Sequence, residues 1–286
     1  MFIGIDDTDS KSGGCTTYVA ALLVEKLNQV GSVVGNPYLI RLNPAIEFKT
    51  RGNGAVAIRC EGELHELMHV AAEIIKEQSM LDDENTHPGA VFLQDVNREL
   101  VDFAMRVVRD VVSLNEAMEL ISKYGIPHIR MKSGRGLIGA LAAASLAANG
   151  LDDVTYELLT YRFPERVGTE REIDERSVLE ADERTYPRTW NTVDRTNRRI
   201  IFAPHSPCPV LYGIRGDEIG AILEAHRIIK CEPIERAVIF QTNQGTDMHL
   251  LCAKIGELKN FRSHIVEGEV SKDPWEITGG HVFFEI

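Results

Sequence analysis

A chain of 286 residues is long for one domain and comfortable for two. Its 44% apolar and 26% charged side chains exclude a disordered protein, and a formal net charge of -12 excludes nucleic-acid binding spread over the whole surface. Any such partner would have to be held by a local basic patch or a further domain. Five scattered cysteines, none in a Cys-x-x-Cys pair, read as reduced thiols of a cytoplasmic protein and give no reason to expect zinc in this chain. Met1-Phe2-Ile3-Gly4 runs straight into aspartates with no basic leader, and the Ala-rich run from Leu137 to Ala148 falls short of the roughly 18 residues of a membrane span.

In chain order, Phe2 to Ile5 is short and apolar like a buried strand, and Tyr18 to Val24 has the look of a helix. Between them lie Asp6, Asp7 and Asp9, then Gly13-Gly14 and Cys15-Thr16-Thr17. Carboxylates packed this closely repel one another unless a cation joins them, and they are the hard oxygen donors that Mg²⁺ prefers. The helix start that follows offers backbone N–H groups and the positive end of a dipole to phosphate. The stretch therefore reads as a site for a Mg²⁺-bound nucleotide; the plain alternative is a polar turn whose Asp caps a helix.

Val33 to Leu42 resembles one irregular strand, closed by Asn43-Pro44. Phe48-Lys49-Thr50-Arg51-Gly52-Asn53-Gly54 is a loop whose glycines, cations and hydrogen-bonding side chains suit phosphate oxygens, which makes Lys49, Thr50, Arg51 and Asn53 candidate phosphate ligands. Leu64 to Met80 carries the spacing of a half-buried helix; His65 and His69 lie four apart on it, a spacing better explained by a solvated face than by a metal pair. Leu81 to Gly89 is a second acidic loop before a strand at Ala90 to Leu93, and helical patterning runs through Glu99 to Val112 and Leu114 to Tyr124. Gly134-Arg135-Gly136-Leu137-Ile138-Gly139 has the letters of a dinucleotide fingerprint, but mid-chain it predicts tight helix packing or a nucleotide-facing turn.

An internal boundary falls at Gly150 to Asp153. Beyond it Val154 to Arg162 alternates like a strand, and Pro164 to Arg199 reads as a long charged excursion. Arg184, Arg188, Arg195, Arg198 and Arg199 interleave there with Tyr186 and Trp190, which suits RNA contact as well as a merely solvated segment. Strands at Ile200 to Ala203, Val210 to Ile214 and Ala237 to Gln241 with a helix at Glu218 to Ile229 predict an antiparallel sheet with a helix on one face, compatible with a ferredoxin-like arrangement. Val266 to Val270 and His281 to Ile286, with Gly279-Gly280 between, read as the opening hairpin of a small barrel; two strands alone are marginal.

Ile5-Asp6-Asp7-Thr8-Asp9-Ser10, Cys15-Thr16-Thr17-Tyr18, Arg41-Leu42-Asn43-Pro44, Lys49-Thr50-Arg51-Gly52-Asn53-Gly54-Ala55, Pro209-Val210-Leu211-Tyr212-Gly213-Ile214-Arg215-Gly216 and Thr242-Asn243-Gln244-Gly245-Thr246-Asp247 together resemble the archaeal tRNA(Ile) 2-agmatinylcytidine synthetases. That resemblance implies an α+β protein: an ATP-binding kinase-like α/β domain over residues 1–151, a ferredoxin-like agmatine-binding domain over 152–260, and the first strands of an OB-type barrel over 261–286. The zinc ribbon of the family is missing. It implies an enzyme that consumes ATP to AMP, activates the C2 oxygen of the wobble cytidine 34 of tRNA(Ile) with CAU anticodon by phosphorylation, and conjugates agmatine there to enable AUA decoding. The family's phosphorylated threonine falls on Thr16, and its Mg²⁺-binding acids on Asp6, Asp7 and Asp9. For the agmatine dication, Tyr212, Asp217 and Asp247 are the candidate contacts.

Two other readings compete. Asp7-Thr8-Asp9 fits the start of an aspartate-based phosphatase, although Ser10-Lys11 stands where those enzymes want Gly-Thr or Gly-Val. A non-catalytic nucleotide- or RNA-binding protein would use the acids for a structural ion.

Overall fold

The apolar opening forms β1 (Phe2–Asp6), the spine of the N-terminal half. The structure, a computed structural model, describes residues 1–278 and 280–286. After β1 come α1 (Thr16–Val30), β2 (Ser32–Val33), β3 (Tyr38–Arg41), β4 (Gly54–Glu61), α2 (Leu64–Gln78), β5 (Gly89–Leu93), α3 (Arg98–Arg109), α4 (Leu114–Lys123), β6 (His128–Arg130) and α5 (Leu137–Asn149). The segment 33–42, expected as one strand, is two, because Gly35 takes a left-handed turn (φ 72°) between them. β1 pairs antiparallel with β4 (Phe2↔Arg59) and with β5 (Phe2↔Leu93), so this central strand is hydrogen-bonded from both sides. Alternation then sends Ile3, Ile5, Val56 and Ile58 to the face covered by α1 and α2, and Ala55, Ala57, Val91 and Leu93 to the face covered by α3 and α5.

α5 has no polar face because it needs none: β1, β4 and β5 lie against one side and α3 against the other, and Ala140 to Ala147 are all buried. Its small side chains let it lie close on the sheet. Gly4 is opposite, where an added Cβ would stand 2.0 Å from the Ala140 carbonyl oxygen. Caps begin the neighbouring helices cleanly: Asn97 accepts from Leu100 N–H at 3.1 Å, and Ser113 with Glu116 forms a capping box at the start of α4.

The C-terminal half contains β7 (Thr155–Arg162), α6 (Glu175–Thr185), β8 (Thr189–Trp190), β9 (Val193–Asp194), β10 (Arg199–Ile200), β11 (Val210–Gly216), α7 (Ile219–Ile228) and β12 (Ile234–Thr242). The charged excursion at 164–199 is thus not irregular. Asp174 caps α6, whose Val178 and Ala181 enter a core with Leu211, Ile214 and Ile222, while its other charges face water apart from Asp182, which is buried against Arg195. A fully buried Arg162–Glu232 pair at 2.8 Å, with Arg162 also donating to the carbonyls of Thr169 and Glu170, ties that excursion back to β7. The charged residues of 164–172 give this away only once the partner at 232 is known.

One ten-stranded sheet runs through both halves in the order β6-β5-β1-β4-β3-β12-β7-β11-β8, with β2 paired to β4 off that path. The seam is the parallel pair of β12 with β3 (Gln241↔Tyr38, Thr242↔Leu39). The α1 face is shared across it, since Tyr161 and Leu159 of β7 join the same apolar cluster as Leu23 and Val19, and the rings of Tyr18 and Tyr161 lie 5.2 Å apart.

Beyond β12, β13 (Leu250–Cys252) pairs parallel with β14 (Ser263–Ile265), and β15 (Lys272–Ile277) pairs antiparallel with β16 (His281–Glu285). The expected strand at 266–270 is therefore displaced, its place taken by 272–277; Glu267-Gly268-Glu269 offers no apolar face to pack. Of the expected glycine turn, Gly279 lies outside the described residues. No helix among the described residues is long and apolar enough to cross a membrane.

Candidate active site

A cavity of about 630 Å³ opens where β1 ends and both α1 and α5 begin. Its N-terminal wall brings together Asp6, Asp7, Asp9, Cys15, Thr16 and the whole loop from Phe48 to Gly54. Its opposite wall comes from the second half: Glu157 and Leu159 of β7, Ile201 to Pro204, and Gly213 and Arg215 of β11. The site is thus built at the seam.

β1 carries Asp6 to the sheet edge and Asp7 turns the chain there with φ 61°, a left-handed backbone that few non-glycine residues adopt. Burial raises the Asp6 carboxyl well above the ordinary carboxylate range, and repulsion from Asp7 adds to it. It accepts a hydrogen bond from the Asp7 N–H at 2.7 Å, and among the described residues no side-chain cation pairs with it. Asp7 is pushed up to about 6 by burial, against the pull of Arg135, whose Nε donates to it at 3.0 Å. Asp9 is likewise raised by burial, although Arg51 is bonded to it and Thr50 supports it. Three carboxylates are thus held where ionisation is costly and a further cation is wanted.

The fingerprint-like glycines explain the tightness. A Cβ at Gly139 would lie 2.0 Å from Oδ2 of Asp6, so with any other residue there the carboxylate or the start of α5 would have to shift. The motif makes no dinucleotide crossover; it packs α5 behind Asp6 and places Arg135 on Asp7. Arg135 also stacks over Phe48, 5.2 Å from the ring centroid, and donates to the Asn85 carbonyl. The second acidic loop serves this site indirectly, Thr86 donating to the Asp9 carbonyl at 2.8 Å.

Thr16 opens α1, buried at 6% exposure, its hydroxyl accepting from Thr8 at 3.1 Å. Cys15 occupies the N-cap; its carbonyl accepts from the Tyr18 and Val19 N–H groups at 3.0 and 3.1 Å, but its side chain makes no capping bond and its thiol is pushed up by burial, so the N–H groups of Thr16 and Thr17 are left to the cavity end. In the loop, Arg51 spans Asp9 and the carbonyls of Ser10 and Gly14. Lys49 is exposed and rests on the Pro44 carbonyl. Asn53 is a brace: its side chain donates to the Asn43 carbonyl at 2.9 Å and its own carbonyl accepts from Leu42.

The three residues expected around agmatine do not line the cavity. Tyr212 is fully buried, stacked on Phe202 and hydrogen-bonded to His226 at 2.9 Å on the far face of the sheet, with no surface left for a ligand. Asp217 accepts from the Trp190 indole at 3.1 Å, and Asp247 begins the short helical turn Asp247–His249. His65 and His69 are exposed on α2, as a solvated face requires. Among the described residues no group of three or more His, Cys, Asp or Glu is arranged to hold a metal ion.

Sequence reasoning passed over the charges of the inner wall. Glu157, buried on β7, accepts from Arg41 at 2.6 Å and from Arg215 at 3.1 Å. Burial alone would raise it, but the two guanidinium groups outweigh that and hold its carboxyl below the usual range. Asn243 fixes Arg41 from behind, bonding its backbone N–H at 2.7 Å and its carbonyl at 3.1 Å. Arg41-Leu42-Asn43 and Asn243 stand in the motifs themselves; their meeting across 202 positions of chain is what no local pattern announces.

The comparisons agree with this architecture. Residues 2–66 match the family model of the TiaS TCKD domain and residues 134–249 that of the TiaS FLD domain. The tRNA(Ile) 2-agmatinylcytidine synthetase TiaS of Archaeoglobus fulgidus is 50% identical over all of this chain and 68% of its own length; that of Methanosarcina mazei is 48% identical over all of this chain and 69% of its own. A crystal structure of TiaS in complex with its isoleucine tRNA and ATP superposes with a TM-score of 0.91 at 49% identity, covering 100% of this chain and 69% of that one. A complex of TiaS with the same tRNA, AMPCPP and agmatine does so at 0.89 and 48%, covering 99% and 69%. The cavity at the seam of two matched domains therefore belongs to a member of the tRNA(Ile) 2-agmatinylcytidine synthetase family.

Proposed function

We propose that this protein is a tRNA(Ile) 2-agmatinylcytidine synthetase, which uses ATP to activate the C2 oxygen of the wobble cytidine and exchanges it for agmatine. The observation that carries the mechanism is one cavity that gathers the aspartates, the start of α1 and the Lys49–Asn53 loop from the first half and a second wall from the other half. The strand order β12-β7-β11-β8, with α6 and α7 on one face, supports reading the second half as ferredoxin-like. The first half then acts as the kinase-like ATP domain, and the terminal strands as the beginning of a barrel. We place the protein in the cytoplasm, with its partner tRNA.

Phosphoryl transfer asks mainly for positioning and charge neutralisation. Arg51 and Lys49 are the cations of the phosphate end, with Thr50 and Asn53 shaping the loop that carries them. The open start of α1 offers N–H groups to a phosphate, and Thr16 stands at that start as the hydroxyl that receives a phosphoryl group. Mg²⁺ suits the site: Asp6 is a half-buried carboxylate with no cation of its own among the described residues, and Mg²⁺ ordinarily takes one or two protein carboxylates beside water and phosphate. Asp6 and Asp7 would hold it, with Asp9 alongside, and it would supply charge neutralisation at the polyphosphate. The phosphatase and pure binding readings lack support from the inner wall, which a simple hydrolase does not require.

The test is mass spectrometry of nucleosides from tRNA(Ile) with the CAU anticodon, incubated with the protein, ATP and agmatine. A cytidine carrying agmatine in place of its C2 oxygen, formed only with all three present, is the expected result. Unmodified cytidine beside ATP hydrolysis would replace this reading with the phosphatase one.

A further inference from the structure

The inner wall holds a second set of cations that the phosphate end does not use. Arg41 and Arg215 grip Glu157 from two sides, at 2.6 and 3.1 Å, and all three residues line the cavity. The set carries one positive charge in excess. Glu157 consumes only part of each guanidinium: Arg41 gives it Nη2 and Arg215 gives it Nε. The Nε of Arg41 is buried without a partner among the described residues, and its Nη1 stands beside Gly52, where a Cβ added to that glycine would come within 3.3 Å. Gly52 belongs to the Lys49–Asn53 loop of the ATP end. Arg41 therefore bridges the two walls, clamped at its backbone by Asn243 and at one edge by Glu157, with its remaining donors unspent. A carboxylate between two guanidinium groups fixes their planes, and preorganised forks of this kind match phosphate oxygens.

We propose that Arg41 and Arg215, spaced by Glu157, form a second oxyanion subsite that holds the phosphoryl group after it has reached the base and stabilises it as it leaves. This rests on the proposed synthetase function. In the step concerned, the amine nitrogen of agmatine forms a bond to C2 of the base and the C2–O bond breaks. Inorganic phosphate departs with the former carbonyl oxygen and its bonding pair, and the attacking nitrogen gives up a proton. Negative charge grows on the departing phosphate, and Arg41 is placed to meet it, whereas Arg51 and Lys49 serve the nucleotide. A purely structural seam pair would not need to set the Nη1 of Arg41 against the ATP loop while its Nε stays without a partner among the described residues.

The experiment compares Arg41→Gln and Arg41→Lys with the parent protein on tRNA(Ile), ATP and agmatine, following the two half-reactions separately. For Arg41→Gln the kcat of agmatine conjugation is expected to fall about 10²-fold or more. The KM for agmatine should stay within about threefold, label from γ-labelled ATP should still enter the protein, and phosphorylated RNA should accumulate. Arg41→Lys should recover part of the rate. Equal loss of protein labelling and conjugation would overturn the proposal, as would a raised agmatine KM at unchanged kcat. The Arg41→Gln/Glu157→Gln pair removes the unpaired buried carboxylate and repeats the test if the single variant folds poorly. A parent protein that forms no conjugate would instead sink the functional reading.

Discussion

Asp6, half-buried, and Glu157, fully buried, are carboxylates lining one cavity, yet their protonation is driven in opposite directions. Asp6 is raised by burial and by its like-charged neighbour, while Glu157 is held low because Arg41 and Arg215 outweigh its burial. The first is a carboxylate without its cation, the second one already supplied with two. An unmet charge marks a place where a ligand must bring the balance, and a met charge marks a scaffold that orients other groups.

The strongest way to break that contrast is at the acid cluster that Asp6 shares with Asp7. Asp7→Ala should abolish ATP-dependent labelling of the protein, a loss of about 10³-fold or more, while leaving the fold intact; retained labelling would take Asp7 out of the mechanism. Gly139→Ala comes next, because its methyl group would collide with the Asp6 carboxylate. We expect nucleotide affinity to fall by about tenfold or more, with destabilisation of about 1–3 kcal/mol from the forced shift of α5. Isothermal titration and denaturant unfolding measure the two effects, and unchanged affinity would show that Asp6 is free to move.

The scaffold carboxylate should answer differently. Glu157→Gln leaves two guanidinium groups without their shared anion, so conjugation should drop about tenfold or more while nucleotide affinity changes little, as read by binding and by product formation. Smallest is a stability effect of reversed sign. Because Asp7 titrates near 6, above its usual value near 4, its contribution to stability is fully present in acid and lost as pH rises through about 6. At pH 7 the ligand-free protein folds against that ionised carboxylate. Asp7→Asn should therefore gain about 1 kcal/mol at pH 7.5, and the gain should fade below about pH 5 in denaturant titrations.

How much of this was legible in the sequence follows the same division. Asp6, Asp7, Asp9 and Thr16 could be read because strand, acids, glycines and helix start are contiguous, so local pattern alone assembles them. The loop from Lys49 to Asn53 was legible by composition, although Asn53 proves to be a brace. Arg135 was visible only as a letter in a misleading glycine motif; its role comes from α5 packing behind Asp6. The inner wall was hidden because β3 joins β12, β7 and β11 only through the parallel seam, and alternation along a strand does not say which neighbour it will have. Tyr212 shows the converse error. Its motif is distinctive, but its parity on β11 sends the ring into the core under α7, away from the cavity. The helix α6 was missed because its apolar positions are few among charges whose partners, Arg195 for Asp182 and Glu224 for Arg184, lie outside it.

The most direct test of the central claim, that the aspartates present a polyphosphate to the start of α1, is to map the label after incubation with γ-labelled ATP and Mg²⁺. Phosphate on Thr16, absent from Thr16→Ala and from Asp7→Ala, is the predicted result. Phosphothreonine at another position, or binding of ATP with no covalent label at all, would contradict it.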